Sequence, residues 1–357
     1  MEPQPGHGNG GSGRLLVAAP DSFKGTASAT EMAQAVGRAA RESGWICDLC
    51  PLSDGGEGFA EVLAGRAAAE RGRWRTTTVT GPLGSPIIAR WWWAEPEAVV
   101  ESAAASGLVL AGGASGNDPM AATSRGTGEL VAAALRAGAQ RVLVGLGGSA
   151  CTDGGLGALE ALEEAGGLRS AEVLAACDVV TSFVEAAGQF GPQKGATPAQ
   201  VEQLRRRLVT LVGHYRERFG VDVGEMTMAG AAGGLAGGLA VLGARLLPGF
   251  ELVAEATGMK RRVVAADLVV TGEGRLDLSS WAGKVVGGVV REARLAGVHV
   301  LVIAGSVGPG GIPVPQGPGI DGGVEVVSLA ERFGEDRAMA SPAACAEEAA
   351  RELLADR

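Results

Sequence analysis

The chain has few aromatic residues, few histidines and no long apolar runs, and each shortage excludes a class of protein. Aromatic residues make up 4% of the 357 positions, while glycine occurs 59 times, a balance that favours many strand-to-helix turns over a sandwich core. Histidine occurs three times. His7 lies in the N-terminal tail, His214 in a charged helical stretch and His299 at the start of an apolar strand, so Ser/His/Asp and Cys/His catalysis are excluded. Every apolar run is broken by Gly, Asp or Arg well before the roughly 18 residues that a membrane span needs. Residues 1–13 carry no apolar core of a secretory signal and are expected to be a disordered tail. A cytoplasmic location is expected.

Basic charge is also scarce. The formal net charge is −9, and the one basic cluster, Arg205 to Arg207, shares helical spacing with Leu204, Leu208 and Leu211 and reads as a solvated face. No nucleic acid or anionic membrane partner is expected, because phosphate contacts dominate such affinity. Cys47 and Cys50 form a CxxC, but on a strand these positions face opposite sides and no second CxxC completes a metal cage. Cys151, Cys177 and Cys345 are isolated and fit reduced thiols.

What the chain does contain is a repeating rhythm of short apolar runs, each ending in a glycine-rich polar loop and followed by an alanine-rich helical stretch. This is the pattern of α/β proteins with parallel sheets, and the length suits two domains. Arg14 to Ala19 leads into Pro20 to Gly25, and a helix is expected over Ala29 to Ser43. Trp45 to Leu52 leads into Ser53 to Gly58, Arg141 to Leu146 into Gly147 to Gly155, and Asp267 to Val270 into a loop from Thr271 to Asp277. Loops at the carboxyl ends of such strands are expected to share one crevice. Strands over Thr76 to Thr80, Ile87 to Ala94 and Ala98 to Val100 are too closely spaced for βαβ units, so a different sheet arrangement begins there. Trp91 to Trp93 lack neighbouring cations and read as strand core rather than a base-stacking platform. One long helix is expected over Thr197 to Gly220, and a last strand over Val324 to Ala330.

With histidine excluded, carboxylates and lysines in the glycine loops must carry the chemistry. Asp54 and Glu57 lie among three glycines, Asp153 beside two and Glu273 between two. Backbone N–H groups in such loops approach anions closely, and adjacent carboxylates hold a hard cation against phosphate. Phosphoryl transfer needs this combination, together with lysine charges and a base for the acceptor hydroxyl. Lys24 and Lys284 lie in glycine-flanked turns, although Gly283-Lys284-Val285 does not complete a Walker A motif. Two rivals remain. Gly145 to Ala150 fits the dinucleotide pattern GxGxxA after a strand, which suits an NAD-dependent oxidoreductase, and a silent metabolite-binding protein would show similar loops.

Taken in order, APDSFKG (Ala19 to Gly25), SDGGEG (Ser53 to Gly58), TSRGTGEL (Thr123 to Leu130), GLGGSACTDGG (Gly145 to Gly155), FGPQKGAT (Phe190 to Thr197), GAAGGLAGGL (Gly230 to Leu239) and TGEGRLD (Thr271 to Asp277) resemble the type I glycerate kinase family. The resemblance spans roughly residues 14 to 330. It implies a flavodoxin-like α/β domain from 14–80 and 263–357, with a second α/β domain, 81–262, inserted into it. It also implies ATP and Mg²⁺ as cofactors, D-glycerate as acceptor, 2-phosphoglycerate rather than 3-phosphoglycerate as product, and room for a homodimer.

Carried over by motif, Asp178, Lys24 and Lys284 look catalytic, with Asp178 the acceptor-side base and Asp153 or Asp277 next in line. Asp21, Ser22, Gly55, Gly56, Ser124, Thr127, Gly147, Gly148, Ser149, Lys194 and Asp277 look like substrate or phosphate contacts. Asp54, Glu57 and Asp153 look like metal ligands. The sequence departs from the family where Val180, Thr181 and Ser182 replace Asp, Asn and Pro, and where Ser279 to Lys284 keeps the lysine but not the preceding Gln and His. These departures leave room for a related hydroxy acid as acceptor.

Overall fold

The computed structural model describes residues 13–66, 72–311, 323–355 and 357; the tail expected over 1–13 lies almost wholly outside them. By its contacts the chain divides into two units, Met1–Pro51 with Gly258–Ala282 and Val286–Arg357, and Leu52–Thr257 with Gly283–Val285. The α/β class and two parallel-rich sheets expected from the sequence are present.

The first unit is a five-stranded parallel sheet in the order β11-β10-β9-β1-β2. Its strands are β1 (Leu15–Ala18), β2 (Ile46–Leu49), β9 (Leu268–Leu276), β10 (His299–Val307) and β11 (Val324–Ser328). Leu16, Ala18, Leu268, Val270, Leu301 and Ile303 share a core with Met32 and Val36 of α1 (Ala29–Glu42) and Ala346 and Ala350 of α15 (Pro342–Ala355). The intervening Val17, Val269 and Val302 are equally buried, as expected of a parallel sheet covered on both faces. Helix α1 starts where Ser28 and Glu31 form a reciprocal capping box, a device that satisfies two otherwise orphaned N–H groups.

One expectation is corrected here. The stretch Thr271 to Asp277 is not a loop, because β9 continues through it and pairs with β10 as far as Leu276. Its glycines permit the pairing: a Cβ on Gly272 would stand 2.0 Å from the Ile303 carbonyl oxygen.

The second unit is a six-stranded mixed sheet in the order β3-β4-β5-β6-β7-β8. The strands are β3 (Arg73–Thr80), β4 (Pro86–Ala94), β5 (Glu97–Glu101), β6 (Arg141–Gly145), β7 (Glu172–Cys177) and β8 (Arg245–Pro248). Pairing is antiparallel from β3 to β5 and parallel from β5 to β8. Residues 52–80, expected in the first domain, therefore cluster with the second unit, since β3 is hydrogen-bonded along its length to β4. Trp91 and Trp93 enter the main core, while Trp92 turns to the other face and meets Trp74 edge-on at 5.3 Å.

The long charged stretch forms α8 (Pro198–Phe219), capped by Thr197 with Gln200 and ended by Gly220 in the left-handed region. Leu204, Leu208, Leu211 and Tyr215 recur at three and four residues, and this seam packs on Phe183. Each fully buried leucine contributes about 2 kcal/mol. Leu208→Ala, which also leaves a cavity, is expected to cost about 2–5 kcal/mol. The Tyr215 hydroxyl donates to the Gly154 carbonyl at 3.0 Å, so α8 also steadies the loop described next.

Candidate active site

Strands β5, β6 and β7 run parallel, so the segments that leave their carboxyl ends, 102–108, 146–155 and 178–183, gather on one side of the sheet. A cavity of about 260 Å³ lies among them. Its wall includes Gly147, Gly148, Ser149, Asp178 and Lys194, five of the residues singled out in the sequence, together with Leu108, Val179, Phe190 and Gln193.

The loop after β6 is held by the segment after β5. Ser102 donates from its hydroxyl to the Gly147 carbonyl at 3.2 Å, and the Leu108 N–H donates to the Gly148 carbonyl at 2.8 Å. The Ala150 N–H returns to the Ser106 carbonyl at 2.8 Å. From the other side, the Gly147 N–H donates to the Gly55 carbonyl at 3.2 Å. This approach requires glycine, because a Cβ on Gly147 would stand 2.4 Å from the Gly56 Cα. Gly55 and Gly56 thus act as the backbone platform for the loop.

Lys194 ends a short 3-10 turn, Pro192–Lys194, just before α8. Its ammonium donates to the Cys151 carbonyl at 2.6 Å and to the Ser149 hydroxyl at 3.0 Å. Burial pushes its pKa below the ordinary lysine value, partly offset by the neighbouring charge of Asp153. Asn117 was not singled out in the sequence, yet its side-chain amide donates to the Lys194 carbonyl at 2.9 Å and the Ala150 carbonyl at 3.2 Å, tying the two motifs together. Only its place beside Gly116 and Asp118 hinted at a turn.

Asp153 is also buried, but it serves the scaffold. One oxygen accepts the Ser124 N–H and hydroxyl at 2.8 Å each, and the other accepts the Gly155 N–H at 3.0 Å. Ser124 and Thr127 are fully buried, the latter donating to the Ser106 hydroxyl at 2.9 Å. Both were expected at phosphate; the structure engages them inside the unit. Asp54, Glu57 and Asp153 do not converge either, since no group of three or more His, Cys, Asp or Glu side chains able to hold a metal occurs among the described residues. Asp54 is buried, with one oxygen accepting the Gly56 N–H at 3.1 Å and the other without a protein partner among the described residues. Because Mg²⁺ binds through one or two carboxylates with phosphates and water, the carboxylate chemistry of buried Asp54 and exposed Glu57 fits that ion.

In the first unit, the Asp21 carboxylate accepts the Ser22 N–H at 2.7 Å, and both residues are buried after β1. Lys24 is exposed in the tight turn between Phe23 and Ala27. Asp277 caps the short turn Leu278–Trp281, accepting the Ser279 N–H at 2.8 Å. Half-buried Lys284, which clusters with the second unit, immediately precedes α12 (Val285–Ala296).

Other sequence signals find structural explanations. Burial raises the Cys47 thiol to about 11, the reverse of what redox chemistry requires. The GxGxxA stretch leaves β6, but the next helix, α6 (Leu156–Glu164), begins only after Asp153 to Gly155, whereas the dinucleotide fingerprint opens directly into its helix. No helix among the described residues is long and apolar enough to cross a membrane.

The cavity at the carboxyl ends of β5 to β7 in this α/β protein thus brings together a buried ammonium, a carboxylate and glycine-loop N–H groups. A family model described as the glycerate kinase family matches residues 16–166 and 163–356. The chain is 39% identical over 329 residues to a glycerate 2-kinase of Escherichia coli K12, covering 82% of this chain and 85% of that one. It is 38% identical over 328 residues to a glycerate kinase of Bacillus subtilis 168, with the same two shares. A crystal structure provisionally described as glycerate kinase 2 of Salmonella typhimurium LT2 superposes with a TM-score of 0.78 at 33% identity, covering 96% of this chain and 98% of that one. The chain belongs to the glycerate kinase family, whose members are phosphotransferases.

Proposed function

We propose that the protein transfers the γ-phosphoryl group of ATP to the 2-hydroxyl of D-glycerate, giving 2-phosphoglycerate and ADP. The observation that carries this reading is the joint presence of Asp178, Ser149 and Lys194 on the wall of one cavity of about 260 Å³. The likeness to a protein named glycerate 2-kinase supports the choice of hydroxyl.

In this reading Asp178 orients the acceptor hydroxyl and takes its proton late, as the new O–P bond forms and the bond from the γ-phosphorus to the bridging oxygen of ADP breaks. A loose transition state asks little more of a base. Lys24 and Lys284 stabilise charge on the phosphates. Mg²⁺, when bound with ATP, neutralises phosphate charge, and Asp54 and Glu57 are the carboxylates that would hold it. Asp153 and Ser124 keep the loop after β6 in shape.

The test is ADP release on adding D-glycerate, with the product identified by ³¹P and ¹³C NMR. Expected is D-glycerate-dependent ADP formation and a phosphate ester at C2. No acceptor-dependent turnover would overturn the reading, and an ester at C3 would overturn its regiochemistry.

A further inference from the structure

Lys194 is 3% exposed, and although the charge of Asp153 reaches it, no carboxylate forms an ion pair with it among the described residues. Its two protein acceptors, the Ser149 hydroxyl and the Cys151 carbonyl, are neutral. A buried cation usually has a counter-charge, because removing it from water unpaired is expensive. An ammonium carries three donors, so one N–H remains for a ligand. The Ser149 oxygen accepts from Lys194, which leaves its own hydrogen to donate. The N–H groups of Gly148 and Ser149 make no hydrogen bond to protein among the described residues. All these donors belong to residues on the same cavity wall, an arrangement that suits an oxyanion.

We infer that Lys194 and Ser149 form the binding site for the carboxylate of the acceptor, an inference that rests on reading this cavity as the acceptor pocket. A carboxylate fits the charge better than a polyphosphate. Among the described residues Lys194 is the sole cationic side chain on the wall, and it faces a cavity whose wall also includes Asp178. One ammonium balances one carboxylate group, whereas a triphosphate would bring several more negative charges beside Asp178 into a site of low dielectric. Lys194 thereby fixes the acid end of the acceptor and leaves its hydroxyls toward Asp178, so that the site selects hydroxy acids over neutral polyols of the same length. This selection follows the rule that a buried polar group left unpaired by the wrong ligand penalises it.

The inference is tested by calorimetric titration of D-glycerate, glycerol and MgATP into the wild-type protein, Lys194→Met and Ser149→Ala, with circular dichroism to establish that each is folded. Wild type is expected to bind D-glycerate and not glycerol. Lys194→Met is expected to weaken D-glycerate about 10- to 100-fold, as for loss of a charged hydrogen bond, and to leave MgATP within about twofold. Ser149→Ala gives a smaller loss of the same kind and carries the test should Lys194→Met not fold. Unchanged D-glycerate affinity in the folded variants overturns the inference. So does a loss confined to MgATP, which would make this a phosphate site, or equal binding of glycerol, or no D-glycerate binding by wild type. D-glycerate binding that depends on Lys194 without any turnover would instead overturn the proposed reaction and leave the carboxylate site standing.

Discussion

The Asp153 carboxylate lies 2.8 Å from both the backbone nitrogen and the hydroxyl of Ser124, which is 29 residues earlier in the chain. This contact joins the loop after β6 to the start of α5 (Arg125–Arg136), and the Ser124 oxygen passes it on by accepting the Ala158 N–H at 3.0 Å. Asp153→Asn replaces an acceptor by an amide facing other donors. It is expected to lower unfolding free energy by about 2–4 kcal/mol, since buried charge-assisted hydrogen bonds are lost and donors are stranded. Urea unfolding measures this. Unchanged stability with a raised Mg²⁺ requirement would restore Asp153 to the metal.

Asp178 is half-buried on the cavity wall. Asp178→Asn keeps shape but removes the base, so kcat is expected to fall by about 10²- to 10⁴-fold. KM for ATP and Tm should change little. Near wild-type kcat with D-glycerate would exclude Asp178 as the base.

Lys24 and Lys284 belong to turns rather than cores. Each Lys→Ala variant is expected to lose about 10²-fold or more in kcat/KM, the usual effect of removing a positioned charge. Tm should stay within a few degrees. A variant that melts early but retains specific activity would make that lysine structural.

For Asp54→Asn and Glu57→Gln, the Mg²⁺ concentration giving half-maximal rate is expected to rise. The larger shift should come from Asp54, whose second oxygen has no protein partner among the described residues. A normal Mg²⁺ titration for either variant removes that carboxylate from the metal.

Glu101 offers a pH test. It ends β5 and accepts the Ala60 N–H of α2 (Phe59–Ala64) at 2.7 Å. Burial, and less strongly the charges of Glu61 and Glu57, push its pKa up, while the Ala60 N–H and Arg90 oppose the shift. A carboxyl with a raised folded pKa keeps its proton where the unfolded chain has lost it. Stability must therefore fall as pH rises from the ordinary carboxylate range through the folded value. Glu101→Gln, which can still accept from Ala60, is expected to raise Tm at neutral pH and to flatten Tm against pH from about 4 to 7. An equal or lower Tm at pH 7 would show that the charge is better accommodated than its burial implies.

The local elements were legible in the sequence because their causes are local. Thr197, Gln200 and Gly220 bracket α8 with capping signals that act within one turn, and the leucine spacing between them sets its buried seam. The apolar run Val173 to Cys177 forms most of β7 (Glu172–Cys177), and Asp178 follows it onto the cavity wall. The family resemblance implied substrate or phosphate contacts for Gly147, Gly148, Ser149 and Lys194, and the fold brings all four to the wall of one cavity. Where the sequence misled, a short motif had two physical solutions. Gly272 and Gly274 suit a phosphate loop, but they equally let β9 and β10 approach closely, and strand pairing prevails.

Sequence by itself determined the α/β class, most of the strands and the long helix α8, because each depends on residues a few positions apart. Tertiary structure decided which polar groups face a cavity and which hold its walls. Asp153, Ser124 and Thr127 carry the same residue types as an active site, yet they spend hydrogen bonds on protein groups, several of them 21 to 34 residues away along the chain. Asn117 carries no motif at all, but folding brings it 77 residues along the chain to the Lys194 carbonyl. A buried polar group must find its partner wherever the fold brings one, and no spacing rule records that choice.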